Sequence, residues 1–328
     1  MKGQERVFSG VQPSGAQVHI GNYAGALKHF VTLAKHYETI FCIVDLHALT
    51  SVDESKELNK YIESLAAAYL AIGLDPKKTI IFRQSDVPEV CELAWYLACE
   101  FPLGLLERAH KVKDSRTKNV SINSGVMFYP ILMAADILLY RAHKVPVGAD
   151  QKQHLEMARD VAERFNFRRG DIFPVPEPLI DENSAVITGL DGRKMSKSYD
   201  NYIGLFEDSK SVRKKVMRIV TDSKGVEDIK DPDSCNIFQL YKHFSSTDEQ
   251  QELRQRYLAG GMGYGVAKEE VFKVIEREIN PLRQVYNDLI KRPNDLRDVL
   301  ADGAKRARVI AQATIADVRD AVGVGAKL

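Results

Sequence analysis

The chain has 328 residues, a length that suggests about two domains. Its 46 Lys and Arg against 45 Asp and Glu leave a formal charge of +1, with 45% hydrophobic and 28% charged residues. This balance excludes a disordered chain and argues against any nucleic-acid binder that works by bulk positive charge, while local basic patches stay open. No run approaches the ~18 apolar residues of a membrane span. The N-terminus has no apolar leader pattern, so a cytoplasmic location is expected. The four cysteines form no CxxC pair, and Cys42 and Cys99, in apolar surroundings, read as buried free thiols.

In chain order, Arg6–Ser9 reads as a short strand, followed by a Gly- and Pro-rich loop and helical periodicity from Asn22 to His36. Thr39–Asp45 is β-branched and continuously apolar, as a strand covered on both faces would be. Asp53 opens an amphipathic helix that runs to Ile72 and stops at Gly73. Thr79–Arg83 is the next strand, and Pro88 begins another helix. This βαβαβ order predicts a parallel sheet of Rossmann-like α/β type, with ligands beyond the C-terminal ends of its strands. From Asp208 the pattern is helical throughout: Lys210–Val220, Ile237–His243, Asp248–Leu258, Ala267–Lys291 and Asp295–Val322. The expected architecture is an α/β nucleotide-binding domain over residues 1–205 and a smaller all-helical domain over 206–328.

The loop after the first strand passes Gly10, Pro13 and Gly15 and reaches His19-Ile20-Gly21-Asn22, where the helix begins. Backbone N–H groups and the helix dipole there would suit an anion, and Gly21 would allow a ligand close approach. A plain strand–turn–helix connection capped by Asn22 explains the same residues. The spacing matches neither the dinucleotide fingerprint nor the GxxxxGK[ST] loop. Further on, Asp191-Gly192-Arg193-Lys194-Met195-Ser196-Lys197-Ser198 forms a short loop with two lysines flanking a serine. It reads either as a solvated charge cluster or as a mobile loop that closes on a pyrophosphate leaving group.

Asp136 stands in the apolar stretch Tyr129–Tyr140, where a carboxylate is costly unless something donates to it. It either bonds nearby backbone or accepts from a buried ligand; indole, with one N–H and no acceptor, would suit it. Val145-Pro-Val-Gly-Ala-Asp-Gln151 then feeds a helix through a glycine-containing turn.

Together, His-Ile-Gly-Asn and Lys-Met-Ser-Lys-Ser resemble the paired signatures of class I aminoacyl-tRNA synthetases, with Asn22 where the commonest form has His. The block from Val145 to Asn166 resembles the VPVGxDQxxHxExxRDxAxRFN pattern of the tryptophan and tyrosine subgroup. The Phe8–Gly15 loop and the Leu-Met-Ala-Ala-Asp block are similar to those of its bacterial tryptophan enzymes. The resemblance covers nearly the whole chain and thins in the helical part.

This resemblance implies that ATP, accompanied by Mg²⁺, meets Gln12, Pro13, Ser14, Gly21, Asn22, Gly148, Ala149, Asp150, Ile187 and the loop Lys194, Met195, Ser196, Lys197 and Ser198. Ala149 stands where many relatives have Glu, so only its backbone would make contact. Lys194, Ser196 and Lys197 would act in catalysis. L-Tryptophan would meet Asp136 through its indole nitrogen, with Phe8, Gly10, Met133, Val145 and Val147 shaping the pocket. Gln151 would hold its amino or carboxylate end, and His47 would line the cleft. Lys111 and Lys113 are both candidates for the phosphates.

The implied activity is formation of tryptophanyl-adenylate and its transfer to tRNA(Trp), with residues 206–328 binding the anticodon and the chain acting as a homodimer. Lys210, Arg213, Lys214, Lys215 and Arg218, at helical spacing, form either a tRNA-facing patch or a solvated helix face. Only Cys235 stands near the place where some relatives bind an iron–sulfur cluster, so neither a cluster nor zinc is expected. A tyrosine-specific synthetase, a small nucleotidylyltransferase and a non-catalytic RNA-binding paralogue are the competing expectations.

Overall fold

The computed structural model describes residues 4–13, 18–52, 55–109, 123–148, 151–179 and 187–325. Five parallel strands, β1 (Arg6–Val11), β2 (Glu38–Ile43), β3 (Ile80–Arg83), β4 (Lys144–Pro146) and β5 (Glu177–Leu179), form one sheet in the order β3-β2-β1-β4-β5. The chain winds one way from β1 through β2 to β3, then returns to the other side of β1 for β4 and β5. The crevice between the ends of β1 and β4 is therefore the topological switch point, where open α/β sheets bind ligands.

The apolar side chains of the first three strands sort by alternation onto two cores. Val7, Phe41, Ile43 and Ile81 face one, with the helix Ser55–Ala71 and most of the C-terminal helices. Phe8, Ile40, Cys42, Ile80 and Phe82 face the other, with the helices Glu89–Ala98, Ser124–Leu139 and Lys152–Arg169. Burial on both faces explains the unbroken apolar run of β2. β4 and β5 have three residues each and contain Pro146 and Pro178, so they lack a readable strand pattern.

Two sequence expectations are corrected. The helix after β1 begins at Ile20 and is capped by His19, not Asn22: His19 Nδ1 accepts from the Asn22 N–H at 3.1 Å, and Asn22 Oδ1 accepts from the His19 N–H at 3.2 Å. Both orphan donors are thereby satisfied reciprocally, in the manner of a capping box. Cys42 is buried as expected, but Cys99 is exposed. It follows the helix Glu89–Ala98, whose Leu93 and Leu97 face the core while Trp95, four residues before Cys99, is exposed.

From Ser209 onward the described chain is helical, with Ser209–Met217, Asn236–Tyr241, Thr247–Ala259, Tyr264–Ile290 and Pro293–Val322. The last helix crosses back over the sheet edge. Its Leu296 and Leu300 join one core and its Ala307, Ala311 and Ile315 the other. A Cβ on Gly303 would lie 1.8 Å from the Ile81 carbonyl oxygen, so only glycine permits this approach to β3. Arg306 Nη1 donates to the Pro76 carbonyl at 2.6 Å, and Arg308 and Arg319 pair with Glu89 and Glu92. The edge of β3 is thus covered rather than left to pair with another chain.

Candidate active site

A cavity of about 250 Å³ opens at the switch point. β1 contributes Phe8, Ser9 and Gly10 to its lining, and β4 with the following turn contributes Val145, Val147 and Gly148. Gly10 has a local reason: a Cβ there would stand 2.9 Å from Val44 Cγ1. The helix Ser124–Leu139 supplies Tyr129, Met133 and Asp136, whose side chains lie on one face at positions i, i+4 and i+7.

Asp136 is almost fully buried, yet it is not left uncompensated. Gln84 Nε2 donates to its Oδ1 at 2.7 Å, and His47 Nε2 lies 2.8 Å from its Oδ2. Burial raises the pKa of this carboxyl, while the His47 and Gln84 hydrogen bonds oppose the rise. Each carboxylate oxygen has two acceptor sites, so one donor on each leaves acceptor capacity toward the cavity. The rest of the wall is braced by Tyr129, whose ring meets His47 edge-on at 5.0 Å and whose hydroxyl donates to Gln151 Oε1 at 3.2 Å. A cleft that sets one oriented carboxylate among Phe8, Met133, Val145 and Val147 favours a flat, largely apolar group that carries a donor.

Beside it, a second cavity of about 210 Å³ is lined by Gln12, Pro13, Asn22 and Lys197 among others. Gln12 is held by bonds from its Nε2 to Ser51 Oγ at 2.9 Å and the His47 carbonyl at 3.3 Å. The capped helix start is joined to the chain beyond the lysine loop: Ile20 N–H donates to the Ile203 carbonyl and Leu205 N–H to that of Val18. Burial, and after it the positive charges of Lys197 and Lys194, lower the His19 pKa to about 4. The imidazole is therefore neutral at pH 7, and its Nδ1 stays free to accept.

The loop itself is pinned at its base. Met195 N–H donates to the Ile187 carbonyl at 2.8 Å, and the buried Asn201 bonds Ser196 N, the Lys194 carbonyl and Asp191 Oδ1. The Asn201 amide and then Arg193 hold the Asp191 carboxyl down to about 2. Met195 is buried against the helix start, while Lys194 and Lys197 reach solvent. Partial burial still lowers the Lys197 pKa. Two cations on a short strap over an open cavity can meet the negative charge of a polyphosphate.

Residues 1–279 match the family of tRNA synthetases class I (W and Y). A tryptophan–tRNA ligase from Fusobacterium nucleatum is 47% identical over 321 residues, 98% of each chain. Another, from Campylobacter jejuni, is 44% identical over 319 residues, covering 97% of this chain and 100% of its own. The crystal structure of tryptophanyl-tRNA synthetase from Campylobacter jejuni complexed with ADP and tryptophan superposes with a TM-score of 0.91, covering 97% of this chain and 100% of that one. The chain belongs to this class I family, in its tryptophan–tRNA ligase branch.

Within this synthetase the residues expected at the amino-acid pocket converge. Phe8, Gly10, His47, Met133, Asp136, Val145, Val147 and Gln151 all line the first cavity. Of those expected at the nucleotide, Gln12 lines both cavities, Gly148 the first, and Pro13, Asn22 and Lys197 the second. Ile187 is buried beneath the loop, and Ser196 caps the short turn Lys197–Tyr199 through the Ser198 N–H. Ser14, Lys111, Lys113, Ala149 and Asp150 lie outside the described residues. At Gly21 a Cβ would meet His19 Nδ1 at 2.9 Å and Met195 Sδ at 3.2 Å. The glycine makes room for the lysine loop and the cap.

Gln84, Tyr129 and Asn201 are structural partners of the site that no sequence motif revealed. Gln84 sits in a polar turn after β3, and Asn201 is a lone amide past the loop. Tyr129 merges with its apolar helix, and only its position seven residues before Asp136, on the same helical face, could have marked it.

Proposed function

We propose that this chain activates L-tryptophan with MgATP to tryptophanyl-adenylate, releasing pyrophosphate, and then transfers the tryptophanyl group to the 3′-terminal ribose of tRNA(Trp). The observation that carries this is the buried, doubly bonded Asp136 facing an apolar cavity that adjoins the lysine loop. Indole fills such a cavity and gives Asp136 the donor it can still accept. Phenylalanine offers no ring N–H to the acceptor site that His47 and Gln84 leave open, so it would forgo that bond in a buried site, which supports selectivity without editing.

In the first step a tryptophan carboxylate oxygen attacks the α-phosphorus, and the bond from that phosphorus to the bridging oxygen of pyrophosphate breaks. The carboxylate is already a nucleophile, so the protein's task is alignment and charge stabilisation. Gln151, braced by Tyr129, holds the amino-acid end of the substrate. Gln12, Pro13, Ser14, Gly21, Asn22, Gly148, Ala149, Asp150 and Ile187 position the nucleotide, and Gly21 also keeps the helix start open to the loop. Lys194, Ser196 and Lys197, with Met195 and Ser198 shaping the strap, stabilise the leaving pyrophosphate. In the second step a ribose hydroxyl attacks the acyl carbon, the bond from that carbon to the phosphate oxygen breaks with its electron pair on AMP, and the hydroxyl proton passes to the departing phosphate.

The helix Ser209–Met217 exposes Lys210, Arg213 and Lys214 beside this loop, and Arg218 follows it. We assign this face to the tRNA backbone, although Arg213 pairs with Glu269 and Lys215 with Glu207. Residues 206–328 would carry anticodon recognition. The homodimer is part of the same proposal; Trp95, Phe128 and Leu103 are exposed apolar side chains suited to burial against a second copy, and sedimentation equilibrium checks it. ATP–pyrophosphate exchange and tRNA charging, run with tryptophan, tyrosine and phenylalanine, test the reaction. Exchange and charging with tryptophan alone are expected. Tyrosine-dependent exchange would overturn the pocket assignment, and silence with all three would favour a non-catalytic RNA-binding role.

A further inference from the structure

Asp136 is held by a residue that belongs to neither signature. Gln84 is fully buried at the start of the short turn Gln84–Asp86, directly after β3. Its side chain bridges two elements: Oε1 accepts from the Leu46 N–H at 3.1 Å, and Nε2 donates to Asp136 Oδ1 at 2.7 Å. A backbone N–H can only donate, so the amide oxygen must face Leu46 and the NH₂ must face Asp136. The amide cannot flip without placing donor against donor and oxygen against carboxylate. The turn is itself anchored, since Asp45 accepts from Ser85 N at 3.0 Å and from Ser85 Oγ at 2.6 Å.

The consequence is geometric. His47 occupies one site on Oδ2 and Gln84 one site on Oδ1, which fixes the rotation of the carboxylate about its last bond. That rotation decides which remaining lone pair looks into the cavity. We propose that Gln84 is a positioning residue that sets specificity: by orienting Asp136 as a fixed acceptor, it makes the pocket demand a ring N–H. It touches no substrate in this arrangement and acts only through Asp136. The inference rests on the assignment of the pocket to indole made above.

The test uses the full chain with Gln84→Glu, Gln84→Met and the shorter Gln84→Asn. Glu keeps an acceptor for Leu46 but sets a second carboxyl group against Asp136. Met removes both bonds at similar length, and Asn tests whether the same groups one methylene short can still reach. Exchange kinetics are measured for tryptophan and for the tryptophan analogue whose ring N–H is replaced by sulfur. The expected result is a KM for tryptophan raised about tenfold in Glu and Met, with KM for ATP unchanged. Preference for tryptophan over the sulfur analogue should fall about tenfold in the same variants, because an unfixed carboxylate no longer demands the donor.

A preference that stays at the wild-type ratio while KM rises would overturn the proposal, since mere loosening of the fold would do that. A parallel rise in KM for ATP would overturn it equally. If Met does not fold, Glu alone decides, because it retains the Leu46 bond. Wild-type protein that shows no preference for tryptophan over the sulfur analogue would instead overturn the indole assignment itself, and the Gln84 proposal with it.

Discussion

The two cavities that meet at the end of β1 are built on opposite plans. Around Asp136 the polar groups are paired in advance, His47 and Gln84 buried and Tyr129 and Gln151 half-buried, so each has a partner before any substrate arrives. Around the lysine loop the charged ends reach solvent, and the order lies in the base, where Asn201 and the Met195 backbone fix the strap. A site that must distinguish one amino acid from nineteen others gains from a rigid acceptor with one site left for the correct ligand's donor. A site that must stabilise charge as it develops gains from cations whose strap is already held in place at its base. On the proposed function, recognition and catalysis are therefore separable in this molecule.

That separation can be tested at four strengths. The largest expected effect belongs to Lys197→Ala, which should lower the exchange kcat by about 10²–10³, by analogy with removal of one preorganised donor. Tryptophan KM and the thermal unfolding midpoint should stay near wild type. Asp136→Asn should act on the other side: loss of a hydrogen bond to a charged acceptor, about 1.5–3 kcal/mol, corresponds to roughly a 10- to 150-fold fall in kcat/KM for tryptophan. ATP KM, measured in the same assay, should hold.

Gly303→Ala probes the frame rather than either cavity. Its Cβ would collide with the Ile81 carbonyl, so urea unfolding should show a stability loss near the ~3 kcal/mol upper range of overpacking, with substrate KM values little changed in the folded fraction. The smallest effect is at the helix cap. The folded pKa of His19, about 4, lies below its ordinary value of 6.5, so the unfolded chain takes up the proton first. The stability that His19 contributes is complete above about pH 6.5 and is lost as the pH falls toward 4. Thermal midpoints of wild type and His19→Asn should differ by a near-constant amount above pH 7. The two should shift relative to each other below it, in favour of the variant, and only slightly until the pH falls well below 6.5.

Reading the sequence reached the recognisable parts of both sites, for different reasons. Asp136 stood out because a carboxylate in an apolar helix needs a donor, and the lysine loop because two cations flank a serine past a glycine. The partners that make those residues work were hidden. Gln84 and Asn201 act through tertiary hydrogen bonds that leave no local pattern, and each looks like an ordinary turn residue. The central strands were readable because burial on both faces makes them continuously apolar, whereas β4 and β5 are too short and proline-containing to announce themselves. Cys99 misled because apolar neighbours in sequence are not neighbours on one helical face. Gly303 has no local pattern that would explain it, and its closeness to β3 supplies the reason.

The most direct test of the central claim is a side-by-side determination of kcat, tryptophan KM and ATP KM for Asp136→Asn and Lys197→Ala in ATP–pyrophosphate exchange. The account predicts a crossed result, with tryptophan KM raised only by the first substitution and kcat lowered chiefly by the second. Both substitutions raising both KM values together would contradict it, because one coupled site would then be doing what two separate ones are held to do.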